Sequence, residues 1–420
     1  MRVLWLSNCV LGENKSNASG SWLYAMKDIL AGEVELWNMA ESRVSEAKHT
    51  HYDGFDEYEI PFYPKSKGVP SAINIKQIEK IIDEIKPDVI HVWGIEKYWA
   101  LLFTRGLIHR DAIIELQGVM SSCYNAYQSG LLPSEIRQCN GFWELVFPRD
   151  RFNNKRKSYL PSIAREKEIL STARFISTQS DWTRGQIHFY LNKDAVLYKT
   201  KRPVRNCFYN SIKWGKPDHE DPVIFTSSSY SEPYKGLHIL LRAVALLKKK
   251  YSGIKLEIAG VDFFERPWYR TRGMDRFWGD MVKKLDLMDN IVFLGHISGE
   301  QIIRHLLDSD IFVNSSFVES YSASAAEALY LGVPSVFSYA GAMPGFSSNG
   351  DVALYYSPGD FVDCAFKIEK LFNTPELYSK FSNNAVEKLK RMCGYDNVRY
   401  TQLNIYKDFI LKTEGSQKTW

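Results

Sequence analysis

Residues 312–332 read FVNSSFVESYSASAAEALYLG. An apolar run opens the stretch, a Ser-rich turn carrying Glu319 follows, and an amphipathic segment holding Glu327 ends at Gly332. The order strand, small-residue loop, helix is how α/β proteins aim backbone N–H groups and a carboxylate at a nucleotide. The spacing puts one carboxylate in the loop and the other near the start of the helix, where they can address two parts of one extended ligand. Each has a plainer reading. Ser324-Ala-Ala-Glu327 fits a capping box, in which the glutamate only satisfies a backbone N–H. Glu319 also reads as an ordinary acidic loop residue.

Working outward, the same alternation of strand and helix fills the chain. Upstream, VIFTSSS, IKLEIAG, NIVFLG and DIFVNSS read as strands, with GLHILLRAVALLKKK and EQIIRHLLDS as helices between them, and PSVFS closes the series. In the first half RVLWLSN, VELWNMA, DVIHVWG, AIIELQG and ARFISTQS read as strands, with SWLYAMKDILAG and IKQIEKIIDEIK as helices. WGKPDHEDP has linker composition. The expected division is a first Rossmann-like domain over 1–205, a second over 206–395, and a C-terminal helix over 396–420 that packs back on the first.

Composition sets outer limits. At 420 residues, two domains are the natural expectation. Apolar content of 45% and charged content of 24% are those of an ordinary globular protein, and a net charge of +4 is too small to imply a nucleic-acid binder. Basic residues cluster locally: Arg149, Arg151, Lys155, Arg156, Lys157, Arg165 and Lys167, then Lys199, Lys201, Arg202 and Arg205. That cluster is either a solvated face or a positive patch for anionic lipid headgroups or a pyrophosphate-bearing acceptor. Six scattered cysteines without CxxC or zinc-like spacing suggest reduced thiols in the cytoplasm. The opening MRVLWLSN has no signal-peptide layout, and no apolar run is long enough to span a bilayer, so membrane association is expected to be peripheral, at the inner face.

No strand is followed by GxGxxG, and Walker A, DxD and GxSxG motifs are all missing, so nicotinamide, flavin, dedicated-metal and hydrolase readings have no support. The strand VIFTSSS instead opens into YSEPYKG, where Lys235 precedes Gly236 and a helix. A lysine at such a turn is either a phosphate partner, its charge adding to the helix N-terminal field, or a solvated loop residue.

Taken together these motifs resemble a GT-B glycosyltransferase of family 4, the retaining, nucleotide-sugar-dependent group. The resemblance rests on Lys235-Gly236, KLEIAG, NIVFLG, DIFVNSS, the Glu319/Glu327 pair, Gly332-Val333-Pro334 and Pro358-Gly359-Asp360, and more loosely on KPDVIHVWG. It implies two facing Rossmann-like domains with parallel sheets. It also implies a C-terminal helix returning to the first domain, a donor held mainly by the second, and no cofactor or metal. Glu327 would accept from the ribose hydroxyls and Glu319 would lie against the donor sugar. Backbone groups of Ser320, Tyr321 and Ser322 would reach the sugar or diphosphate, and Lys235 would neutralise the departing diphosphate. The implied activity is transfer of a sugar to a glycan or lipid-linked acceptor in surface polysaccharide biosynthesis. The rival readings are a catalytically silent, partner-binding paralogue and a sugar-nucleotide epimerase of related fold.

Three departures stand out. Tyr230 occupies the place of the family's arginine, leaving Arg242 or another basic group to substitute. Gln117 stands where many members have a histidine; an amide cannot act as a general base, but a same-face reaction in which the leaving phosphate takes the acceptor proton does not need one. Glu319-Ser320-Tyr321-Ser322 replaces a glycine-rich E-G-F-G turn. On the acceptor side the candidates are Glu96, Gln117 and His91. Gly20 and Ser21 either approach the diphosphate or form an N-cap. Backbone groups around Gly295 and His296 are the candidates for base recognition.

Overall fold

The computed structural model describes residues 1–12, 21–228, 232–260, 262–264, 267, 269–347 and 350–417. Gly20 and Tyr230 lie outside the described residues. The chain divides into two compact units: Met1–Val119 with Ser162–Arg205 and Met392–Trp420, and Met120–Pro161 with Asn206–Arg391. Each is built on its own sheet.

The first unit contains β1 (Arg2–Ser7), β2 (Glu35–Ser42), β3 (Lys48–Tyr52), β4 (Phe55–Pro61), the short hairpin β5 (Lys65–Ser66) and β6 (Val69–Pro70), β7 (Val89–Trp93), β8 (Ile113–Leu116), β9 (Phe175–Thr178) and β10 (Val196–Lys199). Its main sheet runs β10-β9-β8-β7-β1-β2-β4-β3. Every neighbouring pair is parallel except β3 and β4. The central strands are apolar runs because helices cover both faces of a parallel sheet; β7, VIHVW, is buried at every position. The helix Ala72–Ile85 shows how an element is bounded. Ser71 accepts from Asn74 N–H at its start, Lys86 ends it in the left-handed region, and five isoleucines form its buried stripe.

The helix Tyr395–Gln417 belongs to this unit, as the returning-helix expectation required. Tyr406, fully buried, takes a hydrogen bond from Trp5 Nε1 at 2.9 Å and lies 3.1 Å from His91 Nδ1. Phe409 packs edge-on against Phe175, with ring centroids 4.8 Å apart.

The second unit contains β11 (Val223–Ser228), β12 (Lys255–Gly260), β13 (Ile291–Gly295), β14 (Ile311–Asn314), β15 (Ser335–Ser338) and β16 (Leu354–Tyr356). They form one parallel sheet in the order β13-β12-β11-β14-β15-β16. Met120–Pro161 joins this unit, whereas the linear division placed it within 1–205. The joint is made by specific polar contacts. Fully buried His238 donates from Nε2 to Ser129 O at 2.9 Å, and Glu144 accepts from Gly273 N–H at 2.7 Å. Short helices without a long apolar period carry no local sign of such partners.

Candidate active site

In an open parallel sheet, ligands bind beyond the strand carboxyl ends where strand order reverses. In the second sheet the chain runs outward through β11, β12 and β13, then restarts at β14 on the other side of β11. The crevice between β11 and β14 is therefore the switch point, and the two loops bordering it carry Lys235 and Glu319.

Lys235 ends a short 3-10 turn, Pro233–Lys235, and Gly236 then adopts φ 71° before the helix Leu237–Lys248. A Cβ on Gly236 would lie 1.9 Å from Ser315 O, so only glycine lets this turn close on the loop after β14. Phe317 N–H donates to Tyr234 O at 2.7 Å, and Ser315 Oγ donates to Lys235 O at 3.2 Å. The two loops are thus fastened through their backbones, and the Lys235 and Glu319 side chains meet at 2.8 Å. Burial alone would lower the lysine pKa. Attraction and hydrogen bonding from Glu319, aided by Cys123 and Glu232, more than offset it, so Lys235 titrates above its ordinary value and is charged at neutral pH.

Glu319 is held from several sides. Its Oε1 accepts from both Lys235 Nζ and Ser316 Oγ, the latter at 2.7 Å, and Oε2 takes no hydrogen bond from the described residues. Its backbone carbonyl accepts from Ala342 N–H at 2.7 Å. Gly341 sits so close that a Cβ would come within 2.2 Å of that oxygen. Ser320 is half-buried, and Tyr321 is buried edge-on against Phe346.

Ser322 caps the helix Ala323–Leu331, accepting from Ala325 N–H with φ at 67°. This is the left-handed region that favours glycine, which gives a physical reason for glycine in the related E-G-F-G turn. With Ser322 as cap, Ser324 lies inside the helix and Glu327 lies beyond the first turn. The Ser324–Glu327 capping box is therefore not formed, because the helix starts earlier than that pattern assumes. Glu327 is buried, on the helix that leaves the switch point.

Other expectations are sorted by position. Pro358-Gly359-Asp360 is a turn and cap: Gly359 has φ 89° beneath the Phe317 ring, and Asp360 accepts from the N–H groups of Val362 and Asp363. Gly295 ends β13, an edge strand, and His296 beyond it is exposed. Arg242 is engaged by Glu135 and lies over Phe361. Lys155 and Arg272 instead act on the carboxylate of Glu232, whose charge also reaches Lys235. Burial pushes the Glu232 carboxyl up, with those three cations opposing. Sequence reasoning missed Glu232 because its neighbours come from distant segments.

The first sheet reverses order between β1 and β7. Glu96, exposed beyond β7, accepts from Asn8 Nδ2 beyond β1 at 3.2 Å, so this acceptor candidate spans the crevice. Crowding by surrounding protein atoms raises its pKa, opposed by Asn8 and by the charges of Arg165 and Arg202. Gln117 follows β8 and is half-buried. His91 corrects the expectation. It is fully buried within β7, stacked 3.8 Å from Trp93, and burial lowers its pKa to about 3, so it is a neutral core residue with no surface for an acceptor. Ser21 begins the helix Ser21–Leu30. Glu57, unremarked in the sequence, accepts from the N–H groups of Leu11 and Gly12 at 2.7 Å each and thereby anchors the loop after β1.

Residues 210–388 match the family model described as glycosyl transferases group 1. The matched region is less than half of the chain and contains Lys235, Glu319 and Glu327. Sulfoquinovosyl transferase of Arabidopsis thaliana is 27% identical over 365 residues, covering 83% of this chain and 62% of that protein. The chain spans less than half the length of the first three curated relatives it matches. Among solved structures, sucrose-phosphate synthase from Thermosynechococcus elongatus superposes with a TM-score of 0.72 at 14% identity, covering 98% of this chain and 100% of that one. Anabaena HepE in complex with UDP-glucose gives a TM-score of 0.63 at 14% identity, covering 99% and 100%. The fold is GT-B, with two Rossmann-like domains and a C-terminal helix.

Proposed function

We propose that this chain is a retaining, family 4 glycosyltransferase. It moves a hexosyl unit from a nucleotide sugar to a glycan or lipid-linked acceptor, in the cytoplasmic stage of surface polysaccharide assembly. The observation that carries this reading is the Lys235–Glu319 ion pair at the strand-order reversal of the second sheet. A fixed cation there suits a departing diphosphate, and the unused Glu319 Oε2 suits a sugar hydroxyl. Glu327 is assigned to the ribose, and backbone groups near Gly295 and His296 to the base. The HepE complex with UDP-glucose supports a nucleotide-sugar donor on this fold.

In the proposed reaction the bond between the anomeric carbon and the donor phosphate oxygen breaks. The acceptor oxygen bonds to that carbon from the same face, and its proton passes to the leaving phosphate. Gln117 then needs no basic role. Lys235 holds the charge that develops on the diphosphate, with Lys155 and Arg272 as the nearby cations in place of the missing arginine. The nucleotide sugar is consumed as a substrate, and no resident cofactor or metal is invoked.

The test is a thermal-shift panel of UDP-, GDP- and ADP-sugars, followed by an assay for released nucleoside diphosphate with candidate acceptors. A donor at a hundred times its Kd should stabilise the protein by roughly 2.7 kcal/mol. Absence of any shift would sink the assignment. A shift without diphosphate release, together with a co-purifying protein, would favour the silent paralogue; conversion of the donor to an epimeric sugar nucleotide in the absence of acceptor would favour the epimerase.

A further inference from the structure

The helix Phe142–Val146 is built inside out. Its one charged residue, Glu144, is buried, with Oε2 accepting from Gly141 N–H and Oε1 from Gly273 N–H, each at 2.7 Å. Its apolar side chains point the other way: Phe142 is 51% exposed, Leu145 68%, Val146 53%, and Phe147 just beyond is 45% exposed. A Cβ on Gly273 would fall 1.6 Å from Cys139 O, so the segment is seated tightly on the helix Gly273–Lys284. The apolar face is therefore presented on a fixed base.

Within residues 142–157 the exposed charges have one sign. Between residues 142 and 157 the acids are Glu144, which is buried, and Asp150, which accepts from Trp143 Nε1 at 2.7 Å. Arg149, Arg151 and Lys157 follow the apolar face and are exposed. The rest of the basic cluster read from the sequence is dispersed. Arg165, Lys167, Lys199, Lys201, Arg202 and Arg205 belong to the first unit, where Lys199 pairs with Asp181 and Arg202 lies over Trp22.

We propose that residues 142–157 are a membrane-docking wedge: Phe142, Leu145, Val146 and Phe147 enter the headgroup region of an anionic bilayer, and Arg149, Arg151 and Lys157 meet its phosphates. An exposed apolar ridge followed directly in the chain by exposed cations matches such a surface, which offers apolar depth and negative charge together. A second copy of the chain would bring the same cations against themselves. No helix among the described residues is long and apolar enough to cross a membrane, so this contact is interfacial. The inference is independent of the proposed activity, and its test does not read catalysis.

The full chain is co-sedimented with phosphatidylcholine vesicles containing about one third phosphatidylglycerol, and with pure phosphatidylcholine vesicles. Binding is expected to the anionic vesicles, and to weaken as salt rises. Leu145→Ser/Val146→Ser and Arg149→Glu/Lys157→Glu should each lower it by about tenfold or more with unchanged melting temperature. Three outcomes would overturn the proposal: no binding to anionic vesicles, undiminished binding by both double variants, or a wild-type dimer that Leu145→Ser/Val146→Ser dissociates.

Discussion

Lys235 Nζ lies 2.8 Å from Glu319 Oε1, joining loops 84 residues apart in sequence across the crevice between β11 and β14. The pair is mostly buried, Lys235 being 30% and Glu319 10% exposed, so desolvation of both groups offsets much of their attraction and the net contribution to stability is small. Its consequence lies in placement, because a charged lysine is held ready where the second sheet reverses order.

Lys235→Ala should therefore separate catalysis from folding. Release of nucleoside diphosphate is expected to fall by about 100-fold, the usual cost of removing one preorganised donor to developing charge. The melting temperature should barely move, since Ser316 still holds Glu319. A rate within threefold of wild type would remove Lys235 from the reaction.

Glu327→Ala should weaken the donor complex by roughly tenfold or more, because charge-assisted hydrogen bonds are typically worth about 1.5–3 kcal/mol. Ser322 rather than Ser324 caps the helix, so the helix keeps its N-terminus in this variant. Calorimetric titration with the best donor of the panel measures the loss. A variant that fails to fold would assign Glu327 to the core instead.

The residues of the second-sheet site show what was legible in the sequence. Glu319, Glu327 and Lys235 sit in local patterns whose strand, loop and helix can be read within some twenty residues. The meeting of Lys235 and Glu319 at one switch point follows from strand order. The helix start at Ala323 was less legible, since the Ser-x-x-Glu pattern competes with a cap two residues earlier in a run of serines. His238, Glu232 and Glu57 left no local trace, because each is defined by partners from remote segments. The affiliation of Met120–Pro161 was hidden for the same reason: it rests on contacts such as Glu144 to Gly273, between residues 129 apart.

Gly236→Ala tests whether the backbone clasp matters as well as the charges. A side chain there meets both φ 71° and Ser315 O. The expected cost is about 2 kcal/mol in urea unfolding, with loss of diphosphate release although Lys235 is intact. Activity near wild type would mean the two loops need no close fastening.

Ser322→Gly runs the opposite way. Relief of the left-handed backbone is worth about 1 kcal/mol, and a glycine cap gives back only a few tenths. The variant should be equal to or slightly more stable than wild type in urea, whereas Ser322→Val should lose both cap and geometry. A Ser322→Gly protein less stable by more than about 1 kcal/mol would show that its contact with Asn314 Nδ2, at 3.2 Å, dominates.

His238 supplies a pH dependence of known sign. Burial lowers its pKa to about 4, with the hydrogen bond to Ser129 opposing. Below the ordinary histidine value of about 6.5 the unfolded chain binds a proton that the folded one refuses. The stability from His238 is thus fully present above about pH 6.5 and declines as pH falls toward 4, at up to about 1.4 kcal/mol per pH unit. His91, lowered to about 3, adds a loss of the same sign in the first unit. His238→Gln keeps an N–H that can donate to Ser129 O but cannot titrate in this range. The difference between urea midpoints at about pH 7.5 and pH 5 should therefore shrink in the variant. An undiminished difference would mean that other groups set the acid sensitivity of the second unit.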